Sequence, residues 1–352
     1  MMGAASQGAA RSQGSEADTQ QSYTASGATI GSADRGHSSS ALRLSQARST
    51  LPTMLLPAPL APGARVALVA PAGPLRGPQE LDIAIANARA LGWEPVPSAH
   101  ALARAGYLAG DDAHRIADLN RAFTDDTIDG VWCLRGGYGA MRLLESLDYE
   151  ALRRHPRTVI GYSDITALHA AIGVRSGQVS FHGPTARGEL SAFTRASLVR
   201  ATIARADPCG HAGDVRVIRP GRAAGPLVGG NLALLASLAG TPFAPTYDGA
   251  ILVLEDVGEP TYRIDRMLRQ LALSGALGRV AGIVFGHFTD GTHDSDVTSR
   301  RLDDVLREAA EIAGVPAIAG APLGHIDHQW TIPLGAPAEL DAGAGTLHVA
   351  MG

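Results

Sequence analysis

Four short apolar runs, each followed by a stretch of helical periodicity, constrain this chain more than any other feature. Arg65-Val66-Ala67-Leu68-Val69-Ala70 reads as a buried strand, halted by Pro71-Ala72-Gly73-Pro74. A helix is expected over 78–91, a short strand over 94–97 and a helix over 112–123. Strand 130–134 precedes helix 138–147, and strand 158–162 precedes helix 164–174. Strands alternating with helices of about 10–15 residues indicate βαβ units and a parallel sheet. In such an α/β fold the functional loops sit at the carboxyl ends of the strands.

The alternation loosens from about residue 186 to 224, where Gly, Pro and Arg accumulate. The link between two domains is placed there, at 191–224, between an N-terminal domain at 56–190 and a C-terminal domain at 225–352. The second domain is expected to hold a helix over 231–238, a strand over 251–254, a helix over 262–274, a strand over 280–285 and a helix over 299–313. Short strands in a Gly- and Pro-rich setting follow. The segment 1–55 is mostly Ser, Gly, Ala and Gln without hydrophobic periodicity, and is expected to be a disordered tail. It has no apolar core of a secretory signal, which suggests the cytoplasm, and Met54 is an alternative start. Order is expected from near Pro62-Gly63.

Several chemistries are excluded outright. All 30 basic residues are arginine, so there is no Walker lysine, no Schiff-base lysine and no Ser-x-x-Lys site. A net charge of −4 gives no reason to expect a nucleic-acid partner. Cys133 and Cys209 make neither a disulfide framework nor a zinc cluster, and Cys133 reads as a buried thiol. No run approaches the ~20 apolar residues of a membrane span.

Four segments could carry chemistry. In Val159-Ile160-Gly161-Tyr162-Ser163-Asp164-Ile165-Thr166 a strand runs straight into Ser163 and a helix begins after it. That is the layout of a nucleophile elbow, and equally of an ordinary N-cap serine; Ile165 stands where the elbow pattern has its last glycine. Leu134-Arg135-Gly136-Gly137-Tyr138-Gly139 offers backbone N–H groups to an anion, or is simply a tight turn. Glu255 closes the apolar run Ile251-Leu252-Val253-Leu254, where a carboxylate could support an imidazole or belong to an acidic loop with Asp256 and Glu259. His325, in Ala321-Pro322-Leu323-Gly324-His325, is a candidate base, with His182, His287 and His328 as competitors. The His325 and His328 spacing raises a metal site, but no third ligand is apparent.

Taken in order, these segments resemble the LD-carboxypeptidase family of serine peptidases, the murein tetrapeptide carboxypeptidases. Also in register are Val69-Ala70-Pro71-Ala72-Gly73-Pro74, Tyr107-Leu108-Ala109-Gly110-Asp111-Asp112 with Arg115, Tyr262-Arg263-Ile264-Asp265-Arg266-Met267-Leu268, and Pro333-Leu334-Gly335. The resemblance implies a catalytic triad of Ser163, Glu255 and His325, and an oxyanion hole is expected from the N–H groups of Asp164 and of Gly136 or Gly137. It implies an N-terminal parallel-sheet domain resembling class I amidotransferases and a smaller C-terminal domain with a β-barrel. The expected activity is cleavage of the L,D-bond that releases terminal D-alanine from murein tetrapeptides, in peptidoglycan recycling. No metal or organic cofactor is required. The expected partner is the murein peptide, with no nucleic acid and no membrane; a homodimer is allowed. A family branch that cleaves peptidyl-nucleotide antibiotics, and a non-catalytic binding module on the same fold, are the alternatives.

Overall fold

The computed structural model describes residues 54–211, 213, 215–291 and 300–352. The expected tail at 1–55 lies outside the described residues except for Met54 and Leu55. The ordered chain begins before Pro62. The Leu55 N–H donates to Gly177 O at 2.7 Å, the Leu60 N–H donates to Thr202 O at 2.8 Å, and Leu60 is 1% exposed. Apolar residues separated by Pro57 and Pro59 show neither helical nor strand periodicity, so pattern alone passes over a strap of this kind.

Within the first part of the chain, the strands are β1 (Arg65–Val69), β2 (Glu94–Pro97), β3 (Gly130–Cys133), β4 (Thr158–Gly161) and β5 (Ser180–His182). They pair in parallel in the order β5-β4-β3-β1-β2. Every residue of β3 and β4 is buried, as expected of strands covered on both faces. The crossovers are α1 (Pro78–Ala90), α2 (Asp112–Thr124), α3 (Tyr149–Arg154) and α4 (Thr166–Ser176). Asp111 caps α2, its side chain accepting from the His114 N–H. Where a helix was expected over 138–147, the chain makes a 3-10 turn at Ala140–Ser146, since Gly139 at φ 128 cannot be part of an α-helix.

The stretch 191–224 is not featureless. It carries α5 (Ala192–Val199), β6 (Gly210–His211), β7 (Arg216–Arg219) and the start of β8 (Arg222–Asn231). With α6 (Leu232–Leu238), β9 (Ile251–Val257), α7 (Thr261–Leu273), β10 (Gly282–Thr289), α8 (Leu302–Ala313) and β11 (Ala317–Ala319), the chain builds a second sheet. Next β12 (Ile332–Leu334) returns to the first sheet, antiparallel to β5, before β13 (Pro337–Asp341) and β14 (Thr346–Val349). The second sheet is mixed, in the order β6-β14-β13-β8-β9-β10-β11-β7, with β6 and β7 at its open edges. In α7, Ile264, Leu268 and Leu271 recur on one face and are buried against the sheet's core with Leu252 and Leu254. The protein is thus a mixed α/β fold of two sheets.

The two sheets are joined next to Ser163. The Asn231 N–H, at the end of β8, donates to Thr166 Oγ1 in the first turn of α4 at 2.9 Å. A Cβ on the preceding Gly230, at φ 127, would lie 2.5 Å from that same hydroxyl oxygen. Asn231 is the parallel partner of Glu255 in β9. This hydrogen bond therefore ties the element after Ser163 to β8, the strand that lies beside the one carrying Glu255.

Candidate active site

Ser163 follows β4 directly and has φ 66, in the left-handed region. An L-residue there costs about 1–2 kcal/mol, so the surrounding packing must impose the turn. One 3-10 turn, Ser163–Ile165, separates the serine from α4. Gly161 makes the bend feasible, because a Cβ at that position would meet Cys133 Cβ and the Ile165 side chain at 3.0 Å. Its carbonyl accepts from the Gly183 N–H at 3.1 Å and from His169 Nε2 at 2.8 Å, while His169 Nδ1 meets Ser180 Oγ at 2.9 Å. Burial pushes the His169 pKa down to about 4, so this imidazole is neutral and braces the end of β4.

The Arg135-Gly136-Gly137 turn lies against Ser163. An ideal Cβ on Gly136 would come within 2.8 Å of Ser163 Cβ and 3.0 Å of its Oγ. The Gly136 carbonyl accepts from the Gly73 N–H at 2.9 Å. The N–H groups of Gly136, Gly137 and Asp164 form no main-chain hydrogen bond among the described residues. The Asp164 side chain is used structurally, since its Oδ2 accepts from the Ala140 N–H at 2.8 Å. Burial pushes its pKa up to about 6. Arg115, 1% exposed, donates from Nη1 to the carbonyls of Pro71 at 2.6 Å and Gly139 at 3.0 Å, pinning the two loops together.

Glu255 is fully buried in β9, and its Oε2 accepts from His325 Nδ1 at 2.8 Å. Gly324, at φ 119, permits this approach: a Cβ there would stand 3.0 Å from Glu255 Cβ and 3.1 Å from Oε2. The His325 ring lies 4.8 Å, centroid to centroid, from that of Tyr162, the residue before Ser163. The Ser163 hydroxyl makes no hydrogen bond among the described residues. With Nδ1 given to Glu255, the second ring nitrogen of His325 is the one left to accept a proton.

Asp256, Glu259 and His328 have other partners. Asp256 accepts from Asn231 Nδ2, the Ala233 N–H and the Val257 N–H. Glu259 is 3.5 Å from Arg263. His328 Nδ1 is 2.9 Å from Ser191 Oγ, so it does not join His325, and no group of three or more metal-ligating side chains occurs among the described residues. His182 is buried 3.9 Å from Glu255 Oε1, with its imidazole held neutral by burial. Asn231, Thr166 and Gly324 position the site, and nothing in their residue types marks that role. Gly230-Asn231 at the end of an apolar strand is the one available signal.

A cavity of about 640 Å³ opens beside this turn, lined among others by Gly73, Arg104, Tyr107, Arg135, Gly137 and Tyr138.

A strained serine at a strand-to-helix turn, and a histidine that is held by a buried glutamate and lies beside the residue before that serine, fit the parts of a serine hydrolase. The comparisons with known proteins agree. The LD-carboxypeptidase N-terminal domain matches residues 66–183, and the LD-carboxypeptidase C-terminal domain matches residues 224–340. The chain belongs to the LD-carboxypeptidase family. A Streptomyces coelicolor protein whose name places it among the carboxypeptidases is 44% identical over 309 residues, 84% of this chain and 96% of that protein. The murein tetrapeptide carboxypeptidase of Pseudomonas aeruginosa is 37% identical over 295 residues, 79% of this chain and 93% of that one. The crystal structure of muramoyltetrapeptide carboxypeptidase from Oxalobacter formigenes superposes with a TM-score of 0.73 at 32% identity, covering 81% of this chain and 98% of that chain. No described helix is long and apolar enough to cross a membrane.

Proposed function

We propose that this protein is a serine LD-carboxypeptidase that releases terminal D-alanine from murein tetrapeptides in the cytoplasm, with Ser163, His325 and Glu255 as its triad. The observation that carries the reading is the 2.8 Å bond from His325 Nδ1 to the buried Glu255, with the His325 ring in tilted contact, 4.8 Å between centroids, with Tyr162, the residue preceding a strained serine. On this reading the His325 ring removes the Ser163 proton as the oxygen attacks the carbonyl of the L,D-bond. Glu255 fixes the tautomer and stabilises the imidazolium. The N–H groups of Asp164 and of Gly136 or Gly137 receive the oxyanion, each donor being worth ~2.7–4 kcal/mol of barrier. The imidazolium then protonates the departing D-alanine amine, and water hydrolyses the acyl-enzyme. The parallel sheet would be the amidotransferase-like part of the enzyme, and the second sheet its small barrel.

The test is incubation with a murein tetrapeptide and detection of free D-alanine, with Ser163→Ala as control. Release by wild type and none by the variant is expected; equal release by both would remove Ser163 from the mechanism.

One observation favours a second reading. Tyr107 and Tyr138 stand 5.6 Å apart on the cavity wall, 70% and 52% exposed, where aromatic faces could stack on a nucleobase. A peptidyl-nucleotide hydrolysed faster than the tetrapeptide would select it.

A further inference from the structure

Arg135 lies within the electrostatic reach of three other arginines, Arg76, Arg104 and Arg187, and of one carboxylate, Glu80. The four arginines divide into two kinds. Arg187 Nη1 binds Glu80 Oε1 at 2.6 Å, and Arg76 lies 4.0 Å from the same oxygen. Arg135 and Arg104 have no carboxylate partner among the described residues. Each is tethered by one hydrogen bond to a backbone carbonyl: Arg135 Nη1 to Pro74 O at 2.6 Å, and Arg104 Nη2 to Leu75 O at 2.7 Å. Both line the cavity. The half-buried Arg135 has its pKa lowered by burial and by its arginine neighbours, so this corner holds a positive field that its own acid does not cancel.

The location matters as much as the charge. Arg135 is bonded in sequence to Gly136, which packs on Ser163, and its Nε lies 3.6 Å from where a Gly73 Cβ would be. The cavity is therefore lined by Arg135 and Gly137, the two residues that flank the glycine packed on Ser163. A peptide cleaved at its last bond carries its free carboxylate only two bonds beyond the scissile nitrogen. An endopeptidase substrate has no charge there. A guanidinium tethered through one nitrogen keeps further N–H donors in a planar fork, which matches a carboxylate.

The geometry points to Arg135, assisted by Arg104, as the receptor for the substrate's C-terminal carboxylate, and so as the determinant that makes this site an exopeptidase. This rests on the peptidase reading above. It assigns Arg135 and Arg104 to specificity; the reacting atoms are left to Ser163, His325 and Glu255.

The test compares a murein tetrapeptide ending in D-alanine with the same peptide ending in D-alaninamide. Hydrolysis is followed as release of the last residue, and binding is measured by calorimetry on Ser163→Ala, so that binding is read even if wild type hydrolyses neither peptide. Wild type is expected to prefer the acid in kcat/KM, and Ser163→Ala to bind it about 10–100-fold more tightly. Adding Arg135→Met should weaken the acid by that factor and the amide by less than about 3-fold, collapsing the preference. Arg104→Met, in a different loop, should reduce the preference in part and serves if Arg135→Met fails to fold. Equal Kd values for the two peptides in Ser163→Ala would overturn the assignment. So would a preference retained in full by both arginine variants, which would move the carboxylate elsewhere. Tight, acid-selective binding without hydrolysis would instead sink the peptidase reading and leave the receptor standing.

Discussion

Gly136 lies so close to Ser163 that a methyl group on it would come within 2.8 Å of the serine Cβ and 3.0 Å of the hydroxyl oxygen. The space between them is thus the width of a hydrogen atom on carbon. Gly136→Ala is expected to push the hydroxyl away from His325 and to lower kcat/KM about 10²-fold or more, since a misplacement of ~1 Å has that effect. The cost in stability should be smaller, about 1–3 kcal/mol for overpacking a surface-proximal turn. Release of D-alanine and a denaturant titration on the same variant check both. Unchanged activity would mean that the turn yields without moving Ser163.

The φ of 66 at Ser163 predicts a trade between stability and activity. Ser163→Gly relieves the left-handed strain, whereas Ser163→Ala keeps it. The glycine variant should be more stable than the alanine variant by about 0.5–1.5 kcal/mol, and both should be inactive. Chemical denaturation of the pair decides it. An alanine variant as stable as the glycine variant would show that the turn is unstrained.

The parallel sheet was legible because its strands are continuous apolar runs punctuated by Pro and Gly, and β1 to β4 fall within a residue of the expected bounds. The residues expected at the site were legible for a different reason: their motifs recur in a fixed order in one family. What the sequence hid depends on contacts between distant segments. The strap around Leu60 has no periodicity because it pairs with helix ends and not with a strand ladder. The return of β12 to the first sheet is carried by three residues, too few for any pattern. The bond between Asn231 and Thr166 spans 65 positions, and neither residue type announces it. Within 191–224, Gly, Pro and Arg mask α5, whose buried face is only Thr194, Ser197 and Leu198.

That strap leads to a third expectation. A chain beginning at Met54 keeps the Leu55 bridge to Gln178 and the buried Leu60. A chain beginning at Ala64 loses both. Removing a fully buried leucine typically costs ~2–5 kcal/mol. The shorter chain should melt several degrees lower, at about 2–4 °C per kcal/mol for a protein of this order of size. Thermal melts of the two chains measure it, and equal melting temperatures would show that the strap contributes nothing.

The last expectation concerns pH. Burial raises the Asp164 pKa from 3.8 to about 6, although the Ala140 N–H donates to it. A carboxyl whose folded pKa exceeds its unfolded value favours the folded state below the unfolded pKa and loses that contribution as pH rises through the folded pKa. At pH 7 the ionised Asp164 therefore carries a penalty, on the order of 3 kcal/mol by the size of the shift. His169 has the opposite sign: its pKa is lowered by burial from 6.5 to about 4, so its contribution is present above 6.5 and is lost as pH falls through 4. The two act over nearly the same window and mask each other in wild type. Asp164→Asn keeps an acceptor for Ala140 and removes only the carboxyl's titration. Its melting temperature should exceed that of wild type at pH 7. The difference should shrink steadily and vanish by about pH 4, where Asp164 is protonated in the folded wild type and the His169 contribution is common to both proteins. A difference that is constant across this range would show that Asp164 does not titrate there, and a variant less stable at pH 7 would show that the ionised carboxylate's bond to Ala140 outweighs its burial.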